Sequence, residues 1–206
     1  KFNIYNDIPE LLSVSLGSAE TTLVKLTNAY CSFVNGGRKV EPIFIDRIQD
    51  RRGKTIFNAD KRKCVGCDQF SYLDNNTPII ANDSLQIISP ETAYQITSML
   101  EGAVIRGTGK KLKKLNVPLG GKTGTTNDNY DAWFIGFTSD LAIGVYIGYD
   151  EPKSLGKFET GSKVALPVFK KFVESALYKQ DFKPFRIPPG IHFYPVDYDT
   201  GEFSDF

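Results

Sequence analysis

The stretch Leu119-Gly120-Gly121-Lys122-Thr123-Gly124-Thr125-Thr126-Asn127-Asp128 packs one lysine, three threonines and three glycines into ten residues. Two chemistries suit such a composition. Gly121-Lys122-Thr123 could close a phosphate-binding loop, in which backbone N–H groups wrap around phosphates at a helix N-terminus. Lys122-Thr123-Gly124 could instead belong to an edge strand that holds a carboxylate, of the kind serine acyl-transferases use. Register separates the two. A phosphate loop needs the pattern G-x-x-x-x-G-K-[ST], but Asn116 stands at the first glycine position and Pro118 lies inside the loop. After Thr123 comes a poor helix start and then a strand pattern. The related stretch Gly107-Thr108-Gly109-Lys110 fails as well, with Val104 and Lys111 at the required positions.

As a strand, the segment alternates Thr123 and Thr125 on one side with Lys122 on the other. A ligand that uses all three must therefore lie along the strand edge, as an added strand. Lys122 would supply positive charge, and the threonine hydroxyls would donate to a carboxylate. A backbone N–H near Thr125 would serve as half of an oxyanion hole. Gly120, Gly121 and Gly124 remove side chains where another backbone could come close.

The elements that must position this strand are legible in outline. Leu23, Leu26, Tyr30 and Phe33 recur at helical spacing, with Thr21 to cap the start and Gly36-Gly37 to stop it. Pro42–Ile45 and Thr55–Phe57 read as a hairpin around Arg51-Arg52-Gly53-Lys54. From Asn58 to Ser89 the chain is polar, a long loop or insertion at about 59–89. Ser89-Pro90-Glu91 is a strong helix start. The helix it opens should bury Ala93, Ile96, Met99, Leu100, Ala103 and Val104 and end at Gly107. Ala132–Phe137 and Leu141–Ile147 predict a second, more buried hairpin, and Pro167 opens a last helix to about Leu177. Consecutive hairpins closed by a helix imply an α+β fold, an antiparallel sheet backed by helices.

Composition sets wide bounds. A chain of 206 residues with 41% hydrophobic and 24% charged residues can build one real core. The net charge of +1 supplies no global field for nucleic acid or an anionic surface. No apolar run approaches the roughly 18 residues that span a bilayer, so any anchor is expected outside these residues, and Lys1 in place of Met suggests a processed or excised chain. Cys64-Val-Gly-Cys67 follows Lys61, Arg62 and Lys63. A short disulfide loop or inert thiols is the leading reading, with zinc and a redox pair as alternatives. The run Lys110, Lys111, Lys113, Lys114 reads first as a solvated loop and second as contact with anionic substrate. Asp128 and Asp131 suit a turn, and Trp133 suits the core.

The segment from Val104 to Thr138, with "KTGTTN…DAWF" as its most specific block, resembles the third-motif region of class A penicillin-binding proteins, the bifunctional peptidoglycan synthases. "SVSLGSAETTLVKLTNAYCSFVNGG" and "GSKVALPVFKKF" extend the likeness over nearly the whole chain. The resemblance implies the C-terminal part of a transpeptidase domain of β-lactamase-like fold over 1–180, followed by a Pro-rich connector and strand-like tail at 181–206. It implies a place at the periplasmic face of the bacterial inner membrane and no cofactor, metal or nucleic acid. The partners it implies are stem peptides ending in D-Ala-D-Ala, the upstream part of the same polypeptide and, with the upstream serine present, β-lactams. Lys122, Thr123, Gly124 and Thr125 are its catalytic strand. Thr123, Thr125, Thr126, Asn127 and, more weakly, Thr108 are its expected substrate contacts.

Family chemistry uses S-x-x-K, S-x-N and K-T-G, and only the third is convincing here. Ser154-Leu155-Gly156-Lys157 matches S-x-x-K but follows K-T-G, and Gly156 opposes a helix. Asn127-Asp128-Asn129 abuts K-T-G and cannot form a separate wall of a cleft. The lone His192 beside Pro188-Pro189 does not suggest a triad. The expected protein is thus a transpeptidase part whose nucleophile and general base lie upstream. The alternative is a non-catalytic module of the same fold that binds peptidoglycan or a partner.

Overall fold

The computed structural model of the chain describes residues 1–62, 64–65, 79–80, 84–177, 180–197 and 199–204. Helix α1 spans Leu23–Val34. Its cap is Thr22 rather than Thr21, because Thr22 has extended backbone angles and its hydroxyl accepts from Lys25 N–H at 3.2 Å. Thr21 donates instead to the Ile4 carbonyl at 2.8 Å. Gly36 and Gly37, at φ 64° and 80°, turn the chain away as expected.

The first hairpin forms one segment later than the apolar pattern suggests. Strand β1 is Arg47–Gln49 and β2 is Thr55–Asn58, while Ile43, Phe44 and Ile45 lie exposed outside any strand. The turn sets this register. The Asp50 carboxylate accepts from the N–H groups of Arg52 and Lys54 at 2.8 and 2.9 Å, and Gly53 takes φ 82°. So short a loop can pair β2 only with the residues directly before Asp50. Within the expected insertion, β3 (Cys64–Val65) pairs antiparallel with β4 (Ile79–Ile80). Cys64 is disulfide-bonded and Cys31 is free, while Cys67 lies outside the described residues.

Helix α2, Pro90–Ile105, starts as its sequence predicts, with the Ser89 hydroxyl accepting from Thr92 N–H at 3.2 Å. Its buried stripe is Ala93, Thr97, Gly102 and Val104, and Met99 is 65% exposed rather than inside. Thr97 can be buried because its hydroxyl donates to the Ala93 carbonyl at 2.9 Å. A 3-10 helix, Lys110–Leu115, then leads to the main sheet.

That sheet has three antiparallel strands in the order β5 (Gly120–Thr125), β6 (Ala132–Phe137) and β7 (Ala142–Ile147). Thr138 closes the second hairpin, its hydroxyl accepting from the N–H groups of Asp140 and Leu141. Opposed residues share a face, so Phe134, Gly136 and Val145 look one way and Ile135, Phe137 and Gly144 the other. Helix α3, Leu166–Ala176, covers the first face through Phe169, whose ring is centred 4.9 Å from Phe134 and rests on Gly136. Helix α1 covers the second, with Leu23 and Thr27 against Gly144. The result is a helix–sheet–helix sandwich, the α+β arrangement expected from the element order. Its core joins Val104, Leu112, Leu119, Phe134, Ala165, Leu166, Phe169, Val173 and Leu177. In the tail, Val196 and Phe203 form a single antiparallel bridge.

Candidate functional site

Strand β5 is paired on one side only: its partner is β6, and among the described residues no strand occupies the other edge. Gly120 and Gly121 are fully buried, Lys122 and Thr125 are exposed, and Thr123 and Gly124 are half-buried. The strand therefore begins in the core and ends at the surface. Its glycines have separate tasks. A Cβ on Gly120 would meet the Phe137 ring, and one on Gly121 would lie 2.7 Å from the Phe134 ring. These two positions are empty so that aromatic rings of β6 can lie across them, which replaces the expected reason, close approach of another backbone. A Cβ on Gly124 would lie 3.2 Å from the Trp133 side chain, and the glycine that a close backbone approach requires is Gly161, where a Cβ would lie 2.5 Å from the Gly124 carbonyl oxygen.

Thr123 faces the same side as Phe134, and Lys122 the same side as Ile135, so the alternation read from sequence holds. The Lys122 ammonium donates to the Thr123 carbonyl at 2.6 Å. The Thr123 hydroxyl lies 3.2 Å from that of Thr108, which α2 and its following loop bring alongside β5. The Thr125 hydroxyl accepts from Gly161 N–H at 3.0 Å and keeps its own proton to donate. The hydroxyls of Thr108, Thr123 and Thr125 thus lie along one face of the outer half of β5, while Lys122 springs from the other face with its ammonium folded onto the Thr123 carbonyl.

The remaining expected contacts are arranged differently. Thr126 is used by the turn: its hydroxyl accepts from Asp131 N–H at 2.8 Å and its N–H donates to the Asp131 carbonyl at 3.1 Å. Asn127 is exposed and opens a 3-10 turn over Asn127–Asn129. In that turn Asp128 and Asn129 take φ 58° and 55°, which Asn and Asp tolerate better than most residues. Ser154 and Leu155 fasten it, through Ser154 Oγ to the Asp128 carbonyl at 2.7 Å and Leu155 N–H to the Asn129 carbonyl at 2.9 Å. Ser154 to Gly156 is irregular chain, with no helix to bring Lys157 over the serine. Asp131 accepts from the Tyr146 hydroxyl at 2.8 Å, and that bond, ahead of burial and the nearby charges, raises the Tyr146 pKa. Trp133, expected in the core, is only half-buried, because its ring lies against that of exposed Tyr146, tilted by 54° with the centroids 4.7 Å apart. A turn and a strand follow β5 where a phosphate loop would need a helix, so this segment does not form a phosphate loop.

Sequence reasoning missed Gly161. It sits at the first position of a π-helical turn, Gly161–Ala165, that runs directly into α3. Its partner Thr125 is 36 residues earlier, and no local pattern points to a contact made only when α3 docks on the sheet. Among the described residues no three His, Cys, Asp or Glu side chains gather to hold a metal.

A family profile described as "Penicillin binding protein transpeptidase domain" matches residues 9–174. The chain is 46% identical over 206 residues to penicillin-binding protein 1A of Rickettsia conorii, covering 99% of this chain and 26% of that protein. It is 33% identical over 232 residues to the Pseudomonas aeruginosa protein of the same name, covering 98% and 28%. The chain thus spans about a quarter of the length of these relatives. The crystal structure of penicillin-binding protein 1A from Haemophilus influenzae superposes with a TM-score of 0.77 at 32% identity, over 93% of this chain and 32% of that one. PonA1 from Mycobacterium tuberculosis, solved in complex with penicillin V, shares the fold at a TM-score of 0.65 and 23% identity, over 89% and 45%.

Proposed function

The chain belongs to the penicillin-binding protein transpeptidase domain family, and from that premise we propose that it is the carboxylate-binding part of a D,D-transpeptidase. The observation that carries this reading is the edge of β5 that no strand among the described residues pairs, with the Thr123 and Thr125 hydroxyls and Lys122 at its exposed end. A stem peptide ending in D-Ala-D-Ala lies along this edge as an extra strand. Its terminal carboxylate accepts from Thr123 and Thr125 and is drawn by Lys122. The backbone N–H near Thr125 donates to the oxyanion that forms as the upstream serine attacks. That serine forms an ester with the penultimate D-Ala carbonyl, and the C–N bond to the last D-Ala breaks. The departing amine takes a proton, and an amine of a second stem peptide then displaces the serine.

Thr108 holds Thr123 in its rotamer by the hydroxyl contact, which makes it a positioning residue. Thr126 and Asn127 act at the rim, Thr126 by closing the turn and Asn127 by its exposed amide. β-Lactams acylate the same serine when the upstream part of the polypeptide is present, at the periplasmic face of the inner membrane. The test is fluorescent penicillin. A polypeptide extended upstream through an S-x-x-K should be labelled, and Lys122→Ala or Thr123→Val should reduce that labelling by at least tenfold. The 206-residue chain alone should stay dark. Undiminished labelling of both variants, or a covalent adduct on Ser154, would overturn the reading. The second reading, a non-catalytic module of the same fold, gains support if no S-x-x-K and S-x-N precede Lys1 in the coding sequence.

A further inference from the structure

The π-helical turn Gly161–Ala165 runs straight into α3, so Gly161 N–H is among the donors that a helix start leaves without a partner inside the helix. It donates across to the sheet, to the Thr125 hydroxyl, at 3.0 Å. Only a glycine permits that approach, because a Cβ here would lie 2.5 Å from the Gly124 carbonyl oxygen. The two ends of the bond differ in setting: Gly161 is buried, whereas Thr125 is exposed at the end of β5. Thr125 also shares with Thr123 the sheet face that α3 covers.

A hydroxyl has one proton and two lone pairs, and an N–H that takes a lone pair keeps the proton off that side. The Thr125 proton goes to no group among the described residues, and a β-branched side chain has few χ1 positions open to it. Thr123 is different, because it and Thr108 lie 3.2 Å apart and either hydroxyl can donate. Thr125 is therefore a donor of fixed direction, and Thr123 an adaptable one. The incoming N–H also polarises the Thr125 O–H, which strengthens it as a donor to an anion. We infer that Gly161 is a positioning residue, whose N–H holds the Thr125 hydroxyl proton toward the carboxylate of a ligand lying on β5. The inference rests on the carboxylate-binding reading of that strand and deepens it. Recognition of the acid then depends on a main-chain group that never touches the ligand.

The experiment uses the polypeptide extended upstream through its S-x-x-K. Acylation by benzylpenicillin and by its methyl ester is measured in competition with fluorescent penicillin. The methyl ester masks the carboxylate, so the acid-to-ester rate ratio reads carboxylate recognition, while a general loosening of the fold lowers both rates alike. A backbone ester in place of the Gly161 amide, made by semisynthesis, removes the N–H and adds no side chain. Gly161→Ala displaces the same N–H by another route. Thr125→Val removes the hydroxyl at nearly constant shape and should lower the ratio about tenfold, as for a hydrogen bond to a charged group. Each Gly161 change should lower it about fivefold, as for a neutral hydrogen bond, and should have no further effect in the Thr125→Val background. Thr125→Ser, which keeps the hydroxyl, should retain most of the ratio. An unchanged ratio in both Gly161 variants, or an equal loss with and without the Thr125 hydroxyl, overturns the inference. An unchanged ratio in Thr125→Val overturns it as well. In that case a ratio that still falls in Lys122→Ala leaves the carboxylate reading of β5 standing, and one that does not fall removes both.

Discussion

Replacing Gly161 by alanine tests whether the end of β5 is held by the π-helical turn. The added Cβ would overlap the Trp133 carbonyl oxygen and lie 2.5 Å from the Gly124 carbonyl oxygen. Where side chains can give way, overpacking of this kind costs about 1–3 kcal/mol. Here both obstacles are main chain, so the turn must lift from the sheet and strain the bond from Gly161 N–H to Thr125, worth about 1 kcal/mol. Together these come to about 2–4 kcal/mol. For a domain of this size each kcal/mol shifts Tm by about 2–4 °C, so a fall of roughly 4–16 °C is expected in a thermal melt followed by circular dichroism. Gly53→Ala is the comparison: it meets no atom within 4 Å but takes φ 82°, a backbone strain of about 1–2 kcal/mol. A Gly161→Ala melt within about 2 °C of the parent, or above that of Gly53→Ala, would refute the idea that this contact clamps the strand.

Other expectations follow from the same packing. Phe169 is completely buried between Phe134 and Gly136, so Phe169→Ala should lower stability by about 3–5 kcal/mol in urea unfolding. Tyr146 is raised above the ordinary tyrosine value of 10.0, first by its bond to Asp131. Protonated tyrosine is therefore favoured in the fold: its stabilisation is complete below pH 10.0 and is lost as pH rises through the raised value. A spectrophotometric titration of Tyr146→Phe should lack one late-titrating tyrosine, and an unchanged profile counts against the Asp131 bond. Burial raises the Cys31 thiol pKa, so at neutral pH it should react with iodoacetamide more slowly than in denaturant; equal rates would contradict its placement.

Local chemistry made much of the fold legible. Ser89-Pro90-Glu91 carries its own start signal, and α2 begins there because cap and fixed φ both act within one turn. The alternation through Lys122, Thr123 and Thr125 follows from strand geometry alone, which is why the candidate strand could be read before any fold was known. Elsewhere a pattern had rivals. Pro42–Ile45 is more apolar than Arg47–Gln49, yet the Asp50 turn fixed which segment could pair. Met99 keeps the helical period but points outward, because packing against β5 and α1 turned the buried stripe toward Thr97 and Gly102.

By itself the sequence determined the register that rules out a phosphate loop, the strand carrying Lys122, Thr123 and Thr125, and the order of hairpins and helices. Those properties depend on residues within a few positions of one another. Tertiary structure alone decided that Gly120 and Gly121 make room for aromatic rings, that Thr108 meets Thr123, and that Gly161 caps Thr125. Each of these depends on segments that become neighbours only when the helices close on the sheet, and a separation of 36 residues leaves no periodic trace in the chain.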